Sequence, residues 1–230
     1  LTTVDAATVT ASFDVATSVA SIVTAAASPA AGSGSTVNLT VGMDTISGTT
    51  GADAIYGVLT GTASTTTLEA FDTIDGGAGA DLLDISLSGA NFDGDTTISN
   101  VETIKVKATG GARSFDADSI EGLTLLQSKQ GSQNLTVTNL ESTATELGLF
   151  KDSSVNTTSV TYKNTALTGT ADNVTLNLER VSAAENVTLL SSGTNDIETV
   201  TLNSTGVVTN KLGTLIVDDS GTANSMTKLV

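Results

Sequence analysis

Gly76-Gly77-Ala78-Gly79-Ala80-Asp81-Leu82-Leu83-Asp84 has the form G-G-x-G-x-D-x-U-x, with three glycines, two aspartates and an aliphatic residue at fixed places. Glycine at positions one, two and four allows a tight turn with positive φ and brings carbonyl oxygens close to a cation. Aspartate at position six supplies a hard anionic oxygen, which Ca2+ accepts at roughly 2.3–2.6 Å. The aliphatic Leu83 at position eight suits the inner side of a very short strand. The chemistry this points to is calcium coordination by turns. One such unit neither fills a coordination shell nor buries a core, so it needs stacked neighbours.

Related units precede it. Asp44 and Asp53 are nine residues apart, as are Ile46 and Ile55, Gly42 and Gly51, and Gly48 and Gly57. Asp72 and Asp81 repeat the nine-residue step, while Asp53 and Asp72 stand nineteen apart because the Thr-rich stretch 58–71 is inserted between them. Thr49 occupies the place of a second glycine. Glycine and aspartate favour turns in any protein. The shared phase of Gly, Asp and aliphatic positions is what separates a metal-binding repeat from ordinary turns. The pattern predicts that Asp44, Asp53, Asp72 and Asp81 ligate Ca2+ through their carboxylates. Asp75 and Asp84 are expected to assist, and backbone carbonyls near Gly48, Gly51, Gly76 and Gly79 to complete the shells.

The rest of the chain must position these turns. Its 230 residues carry a net charge of −16, and it has no Cys, His or Trp. Hydrophobic residues make up 39% but aromatics only 3%, so the core must be built from Val, Leu, Ile and Ala. Abundant Thr and Val favour strands, and the single proline, Pro29, leaves long ladders uninterrupted. Without cysteine there is no disulfide framework and no thiol for metal or redox work. Residues 1–104 hold twelve acids and no Lys or Arg, whereas 105–230 hold thirteen acids and nine bases. The first half repels itself unless cations enter it. This balance also argues against nucleic-acid binding, which needs a basic face. No apolar stretch reaches the length of a membrane span, and no basic signal-peptide start is visible. Because the chain opens on Leu1 rather than Met, a piece of a longer polypeptide is expected.

Three segments follow. Residues 1–35 form a connecting segment. Val15, Val19, Ile22 and Val23 lie on one helical stripe, so a short helix is predicted, stopped at Ser28-Pro29, with a linker over Ala30–Ser35. Residues 36–91 form a calcium-binding parallel β-roll with its insertion at 58–71. Residues 92–230 are Thr/Asn-rich, with phrases such as Ile98-Ser99-Asn100-Val101-Glu102-Thr103-Ile104 and Asp196-Ile197-Glu198-Thr199-Val200-Thr201-Leu202 that join a polar turn to an alternating strand. Further strands are predicted near 134–138, 158–163, 173–178 and 214–217. The fold class is all-β: a β-roll continuing into a β-solenoid, with a β-sandwich after residue 92 as the alternative.

The order of Leu39–Asp53, the insertion, Asp72–Asp81 and Ile98–Ile104 resembles the RTX-type surface-layer (S-layer) proteins of Gram-negative bacteria, of the Caulobacter type, with their hemolysin-type nonapeptides. The likeness is most specific over 39–106. It implies type I secretion and a calcium-dependent two-dimensional crystal on the outer cell surface. It also implies a lipopolysaccharide anchor contributed by another region, and a C-terminal secretion signal that nothing at Met226–Val230 matches.

Catalysis fits the composition poorly. A Ser-His-Asp triad lacks its histidine, a zinc site lacks His and Cys, and sugar-cleaving clefts usually need aromatics where only Tyr56 and Tyr162 add to five Phe. Arg113 and Arg180 sit in no recognisable lyase motif. Asp93-Gly94-Asp95 resembles the start of an EF-hand loop but lacks its glutamate, and reads as a turn. Asn38, Asn134, Asn173 and Asn186 head N-x-T triplets that an Asn/Thr-rich chain produces by chance. Glu102, Glu121 and Glu198 at strand starts read as turn caps before extra calcium ligands. Lys105 and Lys107 read as a solvated edge that discourages open pairing. The expected function is therefore a self-assembling structural lattice module, with no enzymatic activity and no membrane insertion. The alternative is a calcium-folded spacer within a secreted adhesin, toxin or polysaccharide-modifying enzyme.

Overall fold

The computed structural model describes residues 23–24, 32–207, 209–218 and 228–230. Every strand pairing among them is parallel. One long sheet holds β2 (Thr36–Asn38), β4 (Ala54–Leu59), β6 (Leu82–Leu87), β8 (Thr103–Ala108), β10 (Leu125–Lys129), β12 (Glu146–Phe150), β14 (Asn173–Glu179), β16 (Thr199–Thr205) and β18 (Lys228–Leu229). The strands between them form two shorter sheets. The first holds β1 (Val23–Thr24), β3 (Asp44–Ser47), β5 (Thr73–Asp75) and β7 (Thr97–Ser99). The second holds β9 (Arg113–Asp116), β11 (Leu135–Leu140), β13 (Thr157–Tyr162), β15 (Glu185–Ser191) and β17 (Leu212–Asp218). The chain thus alternates between the long sheet and a short one, a β-solenoid of about seven turns.

Alternation in sequence sets the core. Along β4, β6 and β8 every second residue is buried. Register stacks Ile55, Leu83, Ile104, Leu126, Leu147 and Leu176 in one inward column. Ile46, Ile74 and Ile98 line the inside of the first short sheet, and Phe115, Val137, Val160 and Leu189 the second. Where one short sheet gives way to the other, Phe92 bridges Phe115 and the two rings stack at 4.8 Å. We expect Ile104→Val to lower stability by about 1 kcal/mol through its small cavity, read as a shift in urea midpoint with unchanged slope.

The strands expected near 134–138, 158–163, 173–178 and 214–217 are β11, β13, β14 and β17. A sandwich after residue 92 is ruled out, because its sheets would be antiparallel while the long sheet runs parallel through that point. The helical stripe at Val15, Val19 and Ile22 and the linker 30–31 lie outside the described residues. Val23, assigned to that stripe, instead pairs as strand with Asp44, consistent with the low helix propensity of Val and Thr. Lys105 and Lys107 do face outward, but β8 is no edge: it pairs with β6 on one side and β10 on the other.

Candidate metal centre

Coil 82–103 meets all three sheets in turn, through β6, Phe92 and β7, and so turns three corners. At one, the chain passes from a short strand back to the long sheet; here turns 48–53 and 76–81 stack on each other, with Asn100–Glu102 below. Gly76 N donates to Ser99 O and Gly48 N to Asp75 O, so the three turns are laced by backbone bonds. The stacking is tight enough to exclude side chains. A Cβ on Gly48 would overlap the Gly76 carbonyl oxygen and lie 2.9 Å from Asp53 Oδ2. A Cβ on Gly76 would overlap the Asn100 carbonyl oxygen and lie 2.9 Å from Asp81 Oδ2. The same oxygen arrangement therefore recurs in consecutive coils. Gly77 and Gly79 hold φ of 86° and 146°, which complete the second turn.

The aspartates of this corner form a ladder. Asp53 N donates to Asp81 Oδ1 at 2.7 Å, and Asp81 N donates to Glu102 Oε2 at 2.7 Å. Asp53 and Asp81 are almost wholly buried. Asp53 Oδ1 accepts from Ser35 N, Ser35 Oγ and Thr49 Oγ1, and its Oδ2 from Thr49 N. Burial alone would raise the Asp53 carboxyl, but these bonds outweigh it and hold it below the ordinary aspartate value. Thr49, in the second-glycine position, is thus a cap for Asp53. Asp81 is different. Its Oδ2 is buried with no hydrogen-bond partner. Burial, together with the negative charges of Asp53, Glu102 and Asp75, pushes its carboxyl up.

Asp44 opens β3 and Asp72 directly precedes β5, at the other end of the first short sheet's strands from the glycine turns. Asp44 accepts from Thr40 N and Thr40 Oγ1, and Asp72 accepts from Asp44 N and Glu69 N, each at 2.8 Å. Both oxygens of each are therefore in use. Burial and the Asp44 and Glu69 charges leave Asp72 raised despite those bonds. Asp75 stays at the glycine corner, accepting from Gly77 N and Asn100 Nδ2. Asp84 is apart from both: it lies on the outer face of β6 and ion-pairs with Lys129. Of the ten residues the sequence singles out, the structure gathers Asp53, Asp75, Asp81, Gly48, Gly51, Gly76 and Gly79 at one corner. Gly51 and Gly79 stack there too, a Cβ on Gly79 falling 2.6 Å from the Gly51 carbonyl oxygen.

Among the described residues no group of three or more acidic, His or Cys side chains converges on one point, so a cation here would draw most of its shell from backbone carbonyls, as the glycine pattern requires. The donor set fits Ca2+: all oxygen, carbonyl-rich, with one buried carboxylate oxygen unclaimed. Ser35, Thr49 and Glu102 belong to the same ladder; the nine-residue pattern marks neither Ser35 nor Thr49 as a ligand. Glu102 was legible as a cap, but it caps the neighbouring coil rather than its own turn. Glu198 does the same, accepting from Asp172 N at 2.7 Å. The asparagines of three N-x-T triplets act likewise: Asn134, Asn173 and Asn186 accept from Thr157 N, Thr201 Oγ1 and Thr214 N of the next coil. No protein-family model matches the chain, and no curated protein matches it significantly.

Proposed function

We propose that this chain is a calcium-folded structural module of a secreted bacterial surface-layer protein of the RTX type, assembling with copies of itself outside the cell, and that it is not an enzyme. The observation that carries the calcium part is Asp81 Oδ2, a buried anionic oxygen without a donor, facing a turn stacked on its copy. An unpaired buried charge is costly, and a cation removes the cost. Ca2+ suits the corner better than Mg2+, which demands stricter geometry and holds its water.

Support for self-association comes from shape and charge. The long sheet offers an outer face over many coils, and Val41, Met43, Tyr56 and Phe71 are exposed around the glycine-repeat coils. A chain at −16 repels its copies over about 8 Å at physiological salt. Sodium only screens that repulsion, whereas Ca2+ joins carboxylates of two chains in one shell. Electron microscopy of the metal-stripped chain should therefore show sheets or filaments after adding millimolar Ca2+. Sodium at matched ionic strength should leave monomers, and Mg2+ should substitute poorly. Dispersed monomers in calcium would remove the lattice and leave a calcium-folded spacer.

A further inference from the structure

Among the described residues, three buried carboxylates carry an oxygen without a hydrogen-bond partner, Asp81, Asp152 and Glu185, and the half-buried Asp196 carries a fourth. Asp152 and Glu185 are far from any glycine motif. Asp152 lies in the turn after β12 and Glu185 opens β15, one coil further on. Both lie where the chain passes from the long sheet to the second short sheet. The turns there are laced together: Ser182 N donates to Asp152 O, Asn186 N to Asn156 O, and Asn156 Nδ2 to Gly131 O. Asp152 is fully buried and Glu185 nearly so.

Each carboxylate has one oxygen in use. Asp152 Oδ1 accepts from Gly131 N at 2.7 Å, and Glu185 Oε1 from Thr158 Oγ1 at 3.3 Å. The other oxygen of each, Asp152 Oδ2 and Glu185 Oε2, is enclosed by protein and makes no hydrogen bond, although the Asn156 backbone N–H lies near enough to Glu185 to offset part of its burial. No Lys or Arg among the described residues pairs with either. The pair at Asp44 and Asp72 shows that this fold can bury carboxylates with every oxygen bonded to N–H or O–H groups. Asp152 and Glu185 are bonded so through one oxygen only.

We propose that Asp152 and Glu185 hold a second divalent cation, Ca2+, in a corner that has no glycine repeat. Two unclaimed anionic oxygens are a demand one proton cannot meet in full, since it neutralises one charge only. Ca2+ neutralises both, and Thr158 Oγ1 and the carbonyls of these turns are hard oxygens of the kind it takes. Burial first, then the Glu185 charge, pushes the Asp152 carboxyl up to about 7, and burial raises Glu185 as well. The ion would tie the later coils together as the glycine turns tie the earlier ones.

The test is Ca2+ titration of the metal-stripped full chain by calorimetry, with melting in chelator and in calcium. Variants are D152N/E185Q, the single E185Q, and D81N. D152N/E185Q should bind one Ca2+ equivalent fewer than the unaltered chain. In chelator it should melt higher, because two buried charges are gone; in calcium that advantage should shrink or reverse. If the double variant does not fold, E185Q alone should lose the same equivalent. Equal stoichiometry, with a melting difference that ignores calcium, overturns the proposal. D81N reports on the glycine corner separately. Its losing no equivalent while D152N/E185Q loses one would contradict the calcium reading above and leave this one standing.

Discussion

Stripping calcium from the full chain should unfold the coils spanning 32–104 and leave strand structure in the later ones. The early coils combine buried Asp44, Asp53, Asp72 and Asp81 with no base at all before Lys105. Their turns are held in the folded state by contacts that place carboxylates and carbonyls together. Metal binding to such a site is itself folding free energy. One ion at a thousandfold its Kd adds about 4 kcal/mol, which for a chain of this size moves the melting midpoint by roughly 8–16 °C. Far-UV circular dichroism and melting with and without chelator check this. Neighbour-only contacts between coils make partial unfolding the expected outcome rather than total collapse. Identical spectra and midpoints in both buffers would sink the calcium reading.

Gly76→Ala should be strongly damaging at the glycine corner. The added Cβ meets the Asn100 carbonyl oxygen and Asp81 Oδ2, and the first of these is backbone laced into the next coil. Neither can yield without moving the turn, so we expect a loss of about 4 kcal/mol or more, in the range reserved for steric and network failures. The shift also displaces Asp81, so the calcium-dependent rise in midpoint should disappear. Gly131→Ala is the contrast: its Cβ meets nothing closer than 3.5 Å, and it should change stability by less than about 1 kcal/mol. Similar losses for both would show that the stacking at Gly76 is not what constrains the corner.

What the sequence disclosed follows from what has a period. The nine-residue phase of Asp44/Asp53 and Ile46/Ile55 is one half-coil, because a first full coil takes Thr36 to its partner Ala54. The strands 134–138 and 173–178 were visible because apolar residues alternate there. Coil length later has no period: Leu82 to Thr103 is twenty-one residues and Asn173 to Thr199 twenty-six. Such irregularity left a sandwich open until pairing direction was known. The corners were the hidden part. Gln130, Lys151 and Arg180 directly follow β10, β12 and β14 with positive φ of 49°, 56° and 59°, positions where glycine or asparagine would have given a signal. Asp152 and Glu185 are single acids in unremarkable phrases, and only stacking of the turns brings them together. Asp84 shows the reverse. It sits within the nonapeptide, but strand alternation turns it outward to Lys129.

The central claim is that a cation sits where Asp81 Oδ2 meets the stacked turns. The direct measurement is anomalous diffraction from crystals of the full chain grown with Ca2+ and soaked with Tb3+, an all-oxygen substitute for it. The account predicts a peak at coordination distance from Asp81 Oδ2 and from backbone carbonyls of turns 48–53 and 76–81. A well-ordered corner with no peak, and Asp81 Oδ2 bonded to water or a protein donor, would contradict it.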